Sequence, residues 1–397
     1  MKRFLLLMTF ISSSTLLFPA GPELSGVFDS TVNYTRGAGE SEAHSWGIEE
    51  YANLRLRVRT GEKATFFASF NLVAQAGNYL GGGLLDTISK DPLLGSVMQF
   101  SSPNYFAALE LERLYFRING DYVDAEAGLL RLNFGYGQVW GSSDFLNPRN
   151  PLVINARPRG VLGMNASFYP VDSLKLQGFI AGPKDPLRTS GGGFLPGLSL
   201  DQHWNRASLQ FLYVFETPGA DFTWGLHRFG LSLKADLELG LVADVLYTLN
   251  ARNPYGIDGL SAGMGFDYNF RDGDLYILFE YLFNGFSSVS AQKFGGSWIN
   301  HHYIYGTALN RFNDYVNASL SVVFCFDDFS FSPFLTFNYE LFQGFTLSLI
   351  ARFNLDQKDF RGSKAGELGP VPSSLAGTPL EGHGARVMVY AGARLRF

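Results

Sequence analysis

Residues Leu260–Phe283 read LSAGMGFDYNFRDGDLYILFEYLF and form two segments in which apolar residues occupy every second position. Small or polar residues fill the positions between them in the first segment, and the polar turn Arg271–Asp274 leads into the second. Apolar and polar side chains that alternate with a period of two residues are typical of a β-strand with one apolar face and one polar face. Because a tight turn joins antiparallel neighbours, the pattern predicts a β-hairpin here.

The same alternation continues along the chain, for example in residues 52–59, 64–75 and 387–397. No segment shows a convincing helical repeat, so the sequence predicts an all-β protein. A water-soluble sandwich packs its apolar faces together, whereas a membrane barrel turns them towards lipid and encloses a polar lumen. The alternation by itself is compatible with both architectures.

Three features favour a closed transmembrane antiparallel β-barrel. Short and long connections alternate, and aromatic residues gather at strand ends, as expected for the girdles at the two membrane interfaces. The chain also ends in a strand whose final residue is Phe397. This ending resembles the C-terminal aromatic signal of bacterial outer-membrane proteins, and the resemblance implies that the barrel-assembly machinery reads Phe397.

The N-terminus predicts export from the cytoplasm. Residues 1–20 contain Lys2 and Arg3, then an apolar segment, then small residues, which is the pattern of a secretory signal peptide. After this segment no apolar run is long enough for a membrane helix. The 397-residue chain has one cysteine, Cys325, which excludes a disulfide framework, and a net charge of −5, which argues against a nucleic-acid-binding protein.

Counting strands with both termini on the periplasmic side predicts about 18 strands (16–18), an even number as in single-chain bacterial barrels. The predicted strands begin near residues 26, 48, 64, 105, 123, 160, 174, 197, 206, 225, 238, 260, 275, 302, 315, 329, 345 and 385. The predicted long external loops are 76–104, 135–159, 183–196, 285–301 and 356–384. Residues 21–397 are predicted to form a single barrel domain, and barrels of this size enclose an aqueous channel.

Charged residues are distributed unevenly over the predicted lumen face. Because the last strand closes on the first, the lumen arginines are expected to form one basic arc, which includes Arg55, Arg57, Arg113, Arg131, Arg352 and Arg394. Asp244, Asp267 and Glu280 fall on strands roughly opposite. This arrangement predicts an electric field across the lumen that orients polar solutes and sets ion preference. The alternative is that these residues are ordinary solvated lumen charges.

The segment from Gly135 to Gly160 differs from the other loops because it is rich in glycine, aromatic residues and proline. It resembles the W-G…N-P segment of several families of large porin-like channels, and the residues that match are Trp140-Gly141 and Asn147-Pro148. The resemblance implies a loop that contains Asp144, folds inward and narrows the pore. It also implies a group of arginines at the constriction, namely Arg149, Arg157 and Arg159. The alternative is a loop packed on the barrel surface.

Catalytic and metal-binding motifs give no support to an enzyme. Ser261 lies in a G-x-S-x-G match, but that motif requires a strand, a sharp turn and a helix, whereas Ser261 begins an alternating strand. His301 and His302 are adjacent and would point to opposite faces of a strand, so they cannot share a metal ion. The sequence predicts no catalytic residue, no metal site and no cofactor.

These observations predict an outer-membrane channel for diffusion of small polar or anionic solutes through a water-filled lumen that residues 135–160 narrow. The predicted partners are outer-leaflet lipid, of the lipopolysaccharide type or otherwise, the barrel-assembly machinery and the solutes. Two alternatives stay open. The apolar loop 76–104 suits a hatch in a fatty-acid-type transporter of hydrophobic molecules, and a barrel with a blocked lumen would serve as a surface adhesin or structural protein.

Overall fold

The computed structural model describes eleven parts of the chain, which are residues 21–37, 44–77, 98–102, 104–146, 160–182, 193–218, 225–250, 259–285, 301–327, 329–355 and 385–397. The predicted signal peptide and most of loop 76–104 lie outside these residues. The described parts consist mainly of β-strands and the turns between them. No helix within them is long and apolar enough to cross a membrane.

Nineteen strands follow one another along the described parts of the chain. They are β1 (Glu23–Gly37), β2 (His44–Thr60), β3 (Ala64–Gly77), β4 (Met98–Ser102), β5 (Tyr105–Asn119), β6 (Val123–Leu130), β7 (Val161–Val171), β8 (Leu174–Ala181), β9 (Leu195–Trp204), β10 (Ala207–Glu216), β11 (Leu226–Asp236), β12 (Gly240–Asn250), β13 (Leu260–Phe270), β14 (Leu275–Asn284), β15 (His302–Arg311), β16 (Val316–Cys325), β17 (Phe331–Phe342), β18 (Phe345–Phe353) and β19 (Ala385–Arg396).

All 19 strands belong to one antiparallel sheet, and all but β4 close it into an 18-stranded barrel. Each barrel strand pairs with its neighbours in sequence, with β3 paired to β5, and β19 closes the ring by pairing with β1. Within the described parts of the chain, β4 pairs with β5 alone. The predicted fold class and strand number are confirmed, and most strands begin within two residues of the predicted position.

Alternation along each strand determines which side chains face outward and which face the lumen. In β13 the outward side chains of Met264 and Phe266 are 62% and 40% exposed. Asp244 in β12 and Glu280 in β14 point inward and are only 1% and 3% exposed. In a membrane barrel the exposed apolar side chains contact lipid, and the polar side chains face the enclosed lumen. This is the opposite of a sandwich, in which the enclosed faces are the apolar ones.

A β-bulge in β5 changes the alternation where charged residues are concentrated. The register with β3 passes from Phe70–Leu111 to Ser69–Arg113, so Glu112 is the extra residue. A bulge adds one residue to one strand and changes the direction of the side chains around it. As a result, both Glu112 and Arg113 contribute to the lumen side of the wall.

The chain leaves the barrel wall early after β6, which has only eight residues. Residues 114–119 of β5 pair with β6, whereas residues 105–109 of β5 pair with β4 on the same side. The short strand β4 therefore fills the position in the sheet that a longer β6 would have occupied. The chain that follows β6 is released into the barrel interior, where it forms the site described next.

Candidate pore constriction and lumen walls

Residues 131–146, which we call the lumen segment, follow β6 and lie along the inner face of the barrel. The backbone N–H groups of Tyr136 and Gly137 donate to the Asp244 carboxylate at 3.0 and 2.7 Å. The N–H groups of the next three residues, from Gln138 to Trp140, donate to the Glu280 carboxylate at 2.6, 2.9 and 2.9 Å. Five consecutive N–H groups are therefore held by two carboxylates of the barrel wall.

This contact satisfies groups that would be costly to bury alone. A buried carboxylate requires partners, and hydrogen bonds to an ionised acceptor are stronger than neutral ones. A segment without regular structure likewise needs acceptors for its own N–H groups. The close approach requires glycine at position 137, because a Cβ there would lie 2.3 Å from the Trp140 carbonyl oxygen and 2.8 Å from Asp244 Oδ2.

The third predicted acidic residue also contacts the lumen segment. Gln138 donates from its side chain to Asp267 Oδ1 at 3.2 Å, and it accepts a hydrogen bond from the Tyr276 hydroxyl at 2.9 Å. Asp244, Asp267 and Glu280 thus lie on three consecutive strands, β12 to β14, and all three bind the same segment. The sequence places these carboxylates on one side of the lumen, and the structure gives them a specific partner there.

Both ends of the lumen segment are fixed by apolar packing against the wall. Leu132, Phe134, Phe145 and Leu146 are buried against inward-facing apolar side chains of β8 to β12. The rings of Phe134 and Phe179 lie 5.0 Å apart between centroids. Burial of such side chains stabilises a structure by about 1.5–3 kcal/mol each. The apolar patch on this lumen wall is therefore covered by the segment and not exposed to water.

The tip of the lumen segment packs against the following strands. Trp140 is 4% exposed and contacts Tyr303 and Tyr305 of β15, with ring centroids 6.3 and 6.2 Å away. The neighbouring residue Asp144 is also buried, in a turn in which its N–H donates to the Gly141 carbonyl at 2.9 Å. The segment therefore follows the inner wall from β6 to β15, about half of the circumference.

Tyr136 lies in the lumen segment, outside the strands, and points among carboxylates. Burial raises the pKa of its hydroxyl to about 12, and the nearby negative charges of Asp201 and Asp244 add to that effect. Because a tyrosine is neutral below its pKa, the hydroxyl keeps its proton at neutral pH. The acidic side of the lumen segment thus gains no further negative charge from Tyr136.

Three of the predicted arginines meet on the opposite side of the lumen, where they surround Glu112. Arg131 forms an ion pair with Glu112 Oε1, and Asn53 donates to Glu112 Oε2 at 2.7 Å. Arg55 Nε donates to Asn53 Oδ1 at 2.5 Å, and Arg113 lies 4.8 Å above the Phe67 ring. We call Arg55, Arg113 and Arg131 the arginine wall. Strands β5 and β14 are nine positions apart in the 18-stranded ring, so this wall faces Glu280.

The remaining predicted arginines have different surroundings. Arg352 is 1% exposed, donates to Ser332 and Asn354 at 3.0 and 2.9 Å, and is enclosed in the wall. Arg394 binds Asp29 through two hydrogen bonds of 2.7 and 3.1 Å where β19 meets β1. The Arg57 guanidinium lies 3.9 Å from the Glu23 carboxylate, near the turn between β2 and β3, and both side chains are about half exposed. These three residues do not join the arginine wall.

Several predicted site residues lie outside the described parts of the chain, namely Asn147, Pro148, Arg149, Arg157 and Arg159. Phe397 is described, and its N–H and C=O groups pair with Gly26 at 3.1 and 2.8 Å. Ser261 continues strand β13, without the sharp turn that a nucleophile elbow needs. Within the described residues, no group of three or more His, Cys, Asp or Glu side chains could hold a metal ion.

Sequence reasoning missed how two kinds of residue contribute to this site. The roles of Gly137 and Gln138 depend on contacts with strands more than a hundred residues away, and the alternation pattern carries no such information. The role of Glu112 is partly visible in the sequence, because the adjacent charges of Glu112 and Arg113 interrupt a strict two-residue alternation. A bulge is the structural consequence of that interruption.

Comparisons by sequence find no relative, since no protein-family model and no curated protein matches the chain. Comparisons by structure find outer-membrane channels. Acinetobacter baumannii OccAB4 matches with a TM-score of 0.56 and 11% identity over 95% of this chain and 98% of its own. A BenF-like porin from Pseudomonas fluorescens Pf-5 matches with a TM-score of 0.57 and 8% identity over 96% and 99% of the two chains.

A third solved structure gives the same result. Pseudomonas aeruginosa OccK8 (OprE) matches with a TM-score of 0.54 and 10% identity over 95% of this chain and 98% of its own. Each match covers nearly the whole of both chains, so the likeness includes the entire barrel. The chain has the fold of bacterial outer-membrane porins, and this fold resides in the bacterial outer membrane, as the sequence predicts.

Proposed function

We propose that this chain is a passive channel for small polar solutes, with a preference for anionic ones. Residues 136–140 of the lumen segment form one side of its constriction, and the arginine wall, which includes Arg131 at the start of that segment, forms the other. The observation that carries the proposal is the attachment of residues 136–140 to Asp244 and Glu280, which holds the segment against one side of the barrel. The solute path then runs between this segment and the arginine wall.

Charge balance on the two sides supports the preference for anions. Asp244 and Glu280 are buried under the segment whose N–H groups they bind, so their negative charges are partly neutralised by those donors. The arginine wall contributes three guanidinium groups, against the carboxylate of Glu112 among them and that of Glu110, which binds Asn71 beside them at 3.0 Å. In a narrow aqueous lumen, an excess of fixed positive charge attracts anions and repels cations. No catalytic group is required for this function.

Single-channel recording in planar bilayers tests the proposal directly. With a salt gradient across the bilayer, we expect a reversal potential that indicates anion preference. The Arg55→Gln and Arg113→Gln variants should shift this potential towards cations, because each removes one guanidinium charge from the lumen. Arg59→Gln is the matched control, since Arg59 lies 3.3 Å from Glu23 near the periplasmic turn and its side chain is 56% exposed. A closed barrel, or equal reversal potentials in all four proteins, would contradict the proposal.

A further inference from the structure

The lipid-facing surface carries a tyrosine–histidine pair that recurs three times in the described residues. In each pair the tyrosine lies on a strand that runs from the periplasmic to the extracellular end of the barrel. The histidine lies diagonally opposite on the next strand, and both side chains point outward. The hydroxyl-to-Nδ1 distances are 2.6 Å for Tyr34–His44, 2.9 Å for Tyr213–His227 and 2.7 Å for Tyr281–His302. The rings are stacked in all three, with interplanar angles of 26°, 27° and 23°.

All three pairs lie at the same end of the barrel, next to the connections β1–β2, β10–β11 and β14–β15. With both termini on the periplasmic side, these connections are extracellular. Aromatic residues at the strand ends of outer-membrane barrels form a girdle at the membrane interface, so we expect the pairs near the level where hydrocarbon changes to headgroup. Tyrosine and histidine have an apolar body and a polar tip, which suits this boundary.

One of the three pairs adjoins a concave part of the outer surface. Two neighbouring hollows of about 930 Å³ and 990 Å³ share the outward side chains of Ala166, Leu198 and Tyr213 and the exposed backbone of Gly178. We call these hollows together the outer groove. Its upper end is lined by His227, and its walls include Met164 and Ile180.

The groove has a simple cause in the sequence. Ala166, Gly178, Leu198 and Tyr213 are paired in one row across β7 to β10. Two very small residues are thus followed by two large ones, and the small pair leaves a depression beside a ridge. The wall of this depression is mostly apolar, which suits contact with a hydrocarbon chain.

We propose that the outer groove and His227 bind one phosphate-bearing lipid of the outer leaflet. The acyl chain lies in the groove, and the lipid phosphate accepts a hydrogen bond from His227 Nε2–H. When the Tyr213 hydroxyl donates to Nδ1, the neutral imidazole carries its proton on Nε2 and presents it as a donor. A phosphate is the strongest acceptor at this depth of the membrane, because a hydrogen bond to an anion is about twice as strong as a neutral one.

The pair Tyr281–His302 provides a natural comparison, because it repeats the geometry in different surroundings. Neither of its residues lines the outer groove. The Asp327 carboxylate accepts hydrogen bonds from the backbone N–H groups of His301 and His302 at 2.7 and 2.8 Å. A carboxylate at this position repels a phosphate. The His302 pair is therefore expected to lack the lipid site that His227 has.

Lipid binding to the full-length barrel in detergent micelles tests the proposal. The probes are a phosphorylated lipid A and its dephosphorylated form, titrated onto the protein and counted by native mass spectrometry. We expect the wild-type protein to bind the phosphorylated form about tenfold more tightly, which corresponds to one charge-assisted hydrogen bond. His227→Phe keeps the ring and removes the donor, so it should abolish this discrimination.

Two further variants separate the parts of the site. Gly178→Leu should weaken binding of both lipids, because the new side chain fills the groove; its Cβ would lie 3.6 Å from Leu198 Cδ2, an ordinary contact. His302→Phe is the matched control and should bind like the wild type. Heat-resistant electrophoretic migration verifies that each variant is folded. The proposal is overturned if His227→Phe retains the discrimination, if the wild type binds both lipids equally, or if His302→Phe loses as much affinity as His227→Phe.

Discussion

At the scale of single residues, two carboxylates hold a glycine-rich sequence in one conformation against the barrel wall. Residues 135–141 include three glycines and would have many conformations on their own. Asp244 and Glu280 select one of them, because each accepts several N–H groups that face the same direction. Consecutive N–H groups that converge on an anion form a small anion-binding site, and here the protein supplies the anion itself.

Glu280 is the residue at which this anchoring can be tested most sharply. In Glu280→Gln the side chain still has one acceptor oxygen, but its NH₂ group faces the N–H donors of the lumen segment. Loss of a hydrogen bond to a charged group costs about 1.5–3 kcal/mol, so we expect a lower free energy of unfolding and a mobile segment. In single-channel records this mobility should appear as larger and noisier open-state currents.

Glu238→Gln is the matched control for this change. Glu238 lies in the exposed turn between β11 and β12, so the variant removes the same charge without affecting the lumen segment. Its currents should match those of the wild type. If the Glu280→Gln channel is as quiet as the control, the carboxylate does not hold the segment in place.

At the scale of strands and segments, alternation determines most of the barrel but not the contents of its lumen. The strand at 197 is the weakest in sequence, yet the rule that long connections lie on one side requires it, and β9 spans Leu195–Trp204. Pro333 predicts an interrupted ladder because it has no N–H group. Pairing between β17 and β18 extends to Phe334–Arg352, omits Pro333 and resumes at an isolated bridge between Phe331 and Leu355, two residues beyond β18. The five-residue strand β4 is too short to give a recognisable pattern.

The inward course of residues 131–146 could be inferred only from a resemblance. Periodicity identifies the face on which Asp244 or Glu280 lies, but it cannot identify the partner that covers that face. The partners are backbone N–H groups, which every sequence has, so no residue type marks them. Trp140 is the one side chain of the segment that the sequence marks. A tryptophan in a glycine-rich loop is expected to pack against a large apolar neighbour, and Tyr303 and Tyr305 are its neighbours.

Trp140→Ala tests whether packing at the tip keeps the lumen segment in position. Truncation of a buried tryptophan costs about 3–5 kcal/mol, which exceeds what a single hydrogen bond contributes. We expect a larger mean conductance and a lower thermal unfolding midpoint. Trp204→Ala is the control, because Trp204 is 55% exposed at the end of β9 and is not part of the buried cluster around Trp140. Equal conductance in the two variants would show that the tip does not limit the pore.

At the scale of the whole molecule, very different sequences can form the same barrel. The porins of similar fold share only 8–11% of their residues with this chain. Each wall position needs only an apolar or a polar side chain on the correct face, so identity can be lost while the fold is retained. Lumen positions restrict the sequence more, because a buried charge there needs a specific partner. Glu112 pairs with Arg131, and Glu280 binds the backbone N–H groups of the lumen segment.

Closure of the ring is a property of the whole chain, since it joins the first strand to the last. Phe397 completes this seam through two backbone hydrogen bonds to Gly26, and its ring covers that glycine so closely that an added Cβ would lie 2.6 Å from Cζ. Deletion of Phe397 removes these contacts but leaves the other β1–β19 pairs, from Val27–Arg396 onward. A barrel refolded in detergent should therefore keep its heat-resistant migration.

Assembly in cells should respond differently to the same deletion, if Phe397 is the signal that the assembly machinery reads. We expect a several-fold lower yield of folded protein in the outer membrane, measured as the heat-resistant fraction of the expressed chain. Leu395→Ala is the control, because Leu395 lies on the lipid-facing side of the same strand and leaves the terminal residue intact. Equal yields from the deletion and the control would show that the terminal aromatic residue serves closure alone. A deletion variant that also fails to refold in detergent would show that the seam itself depends on Phe397.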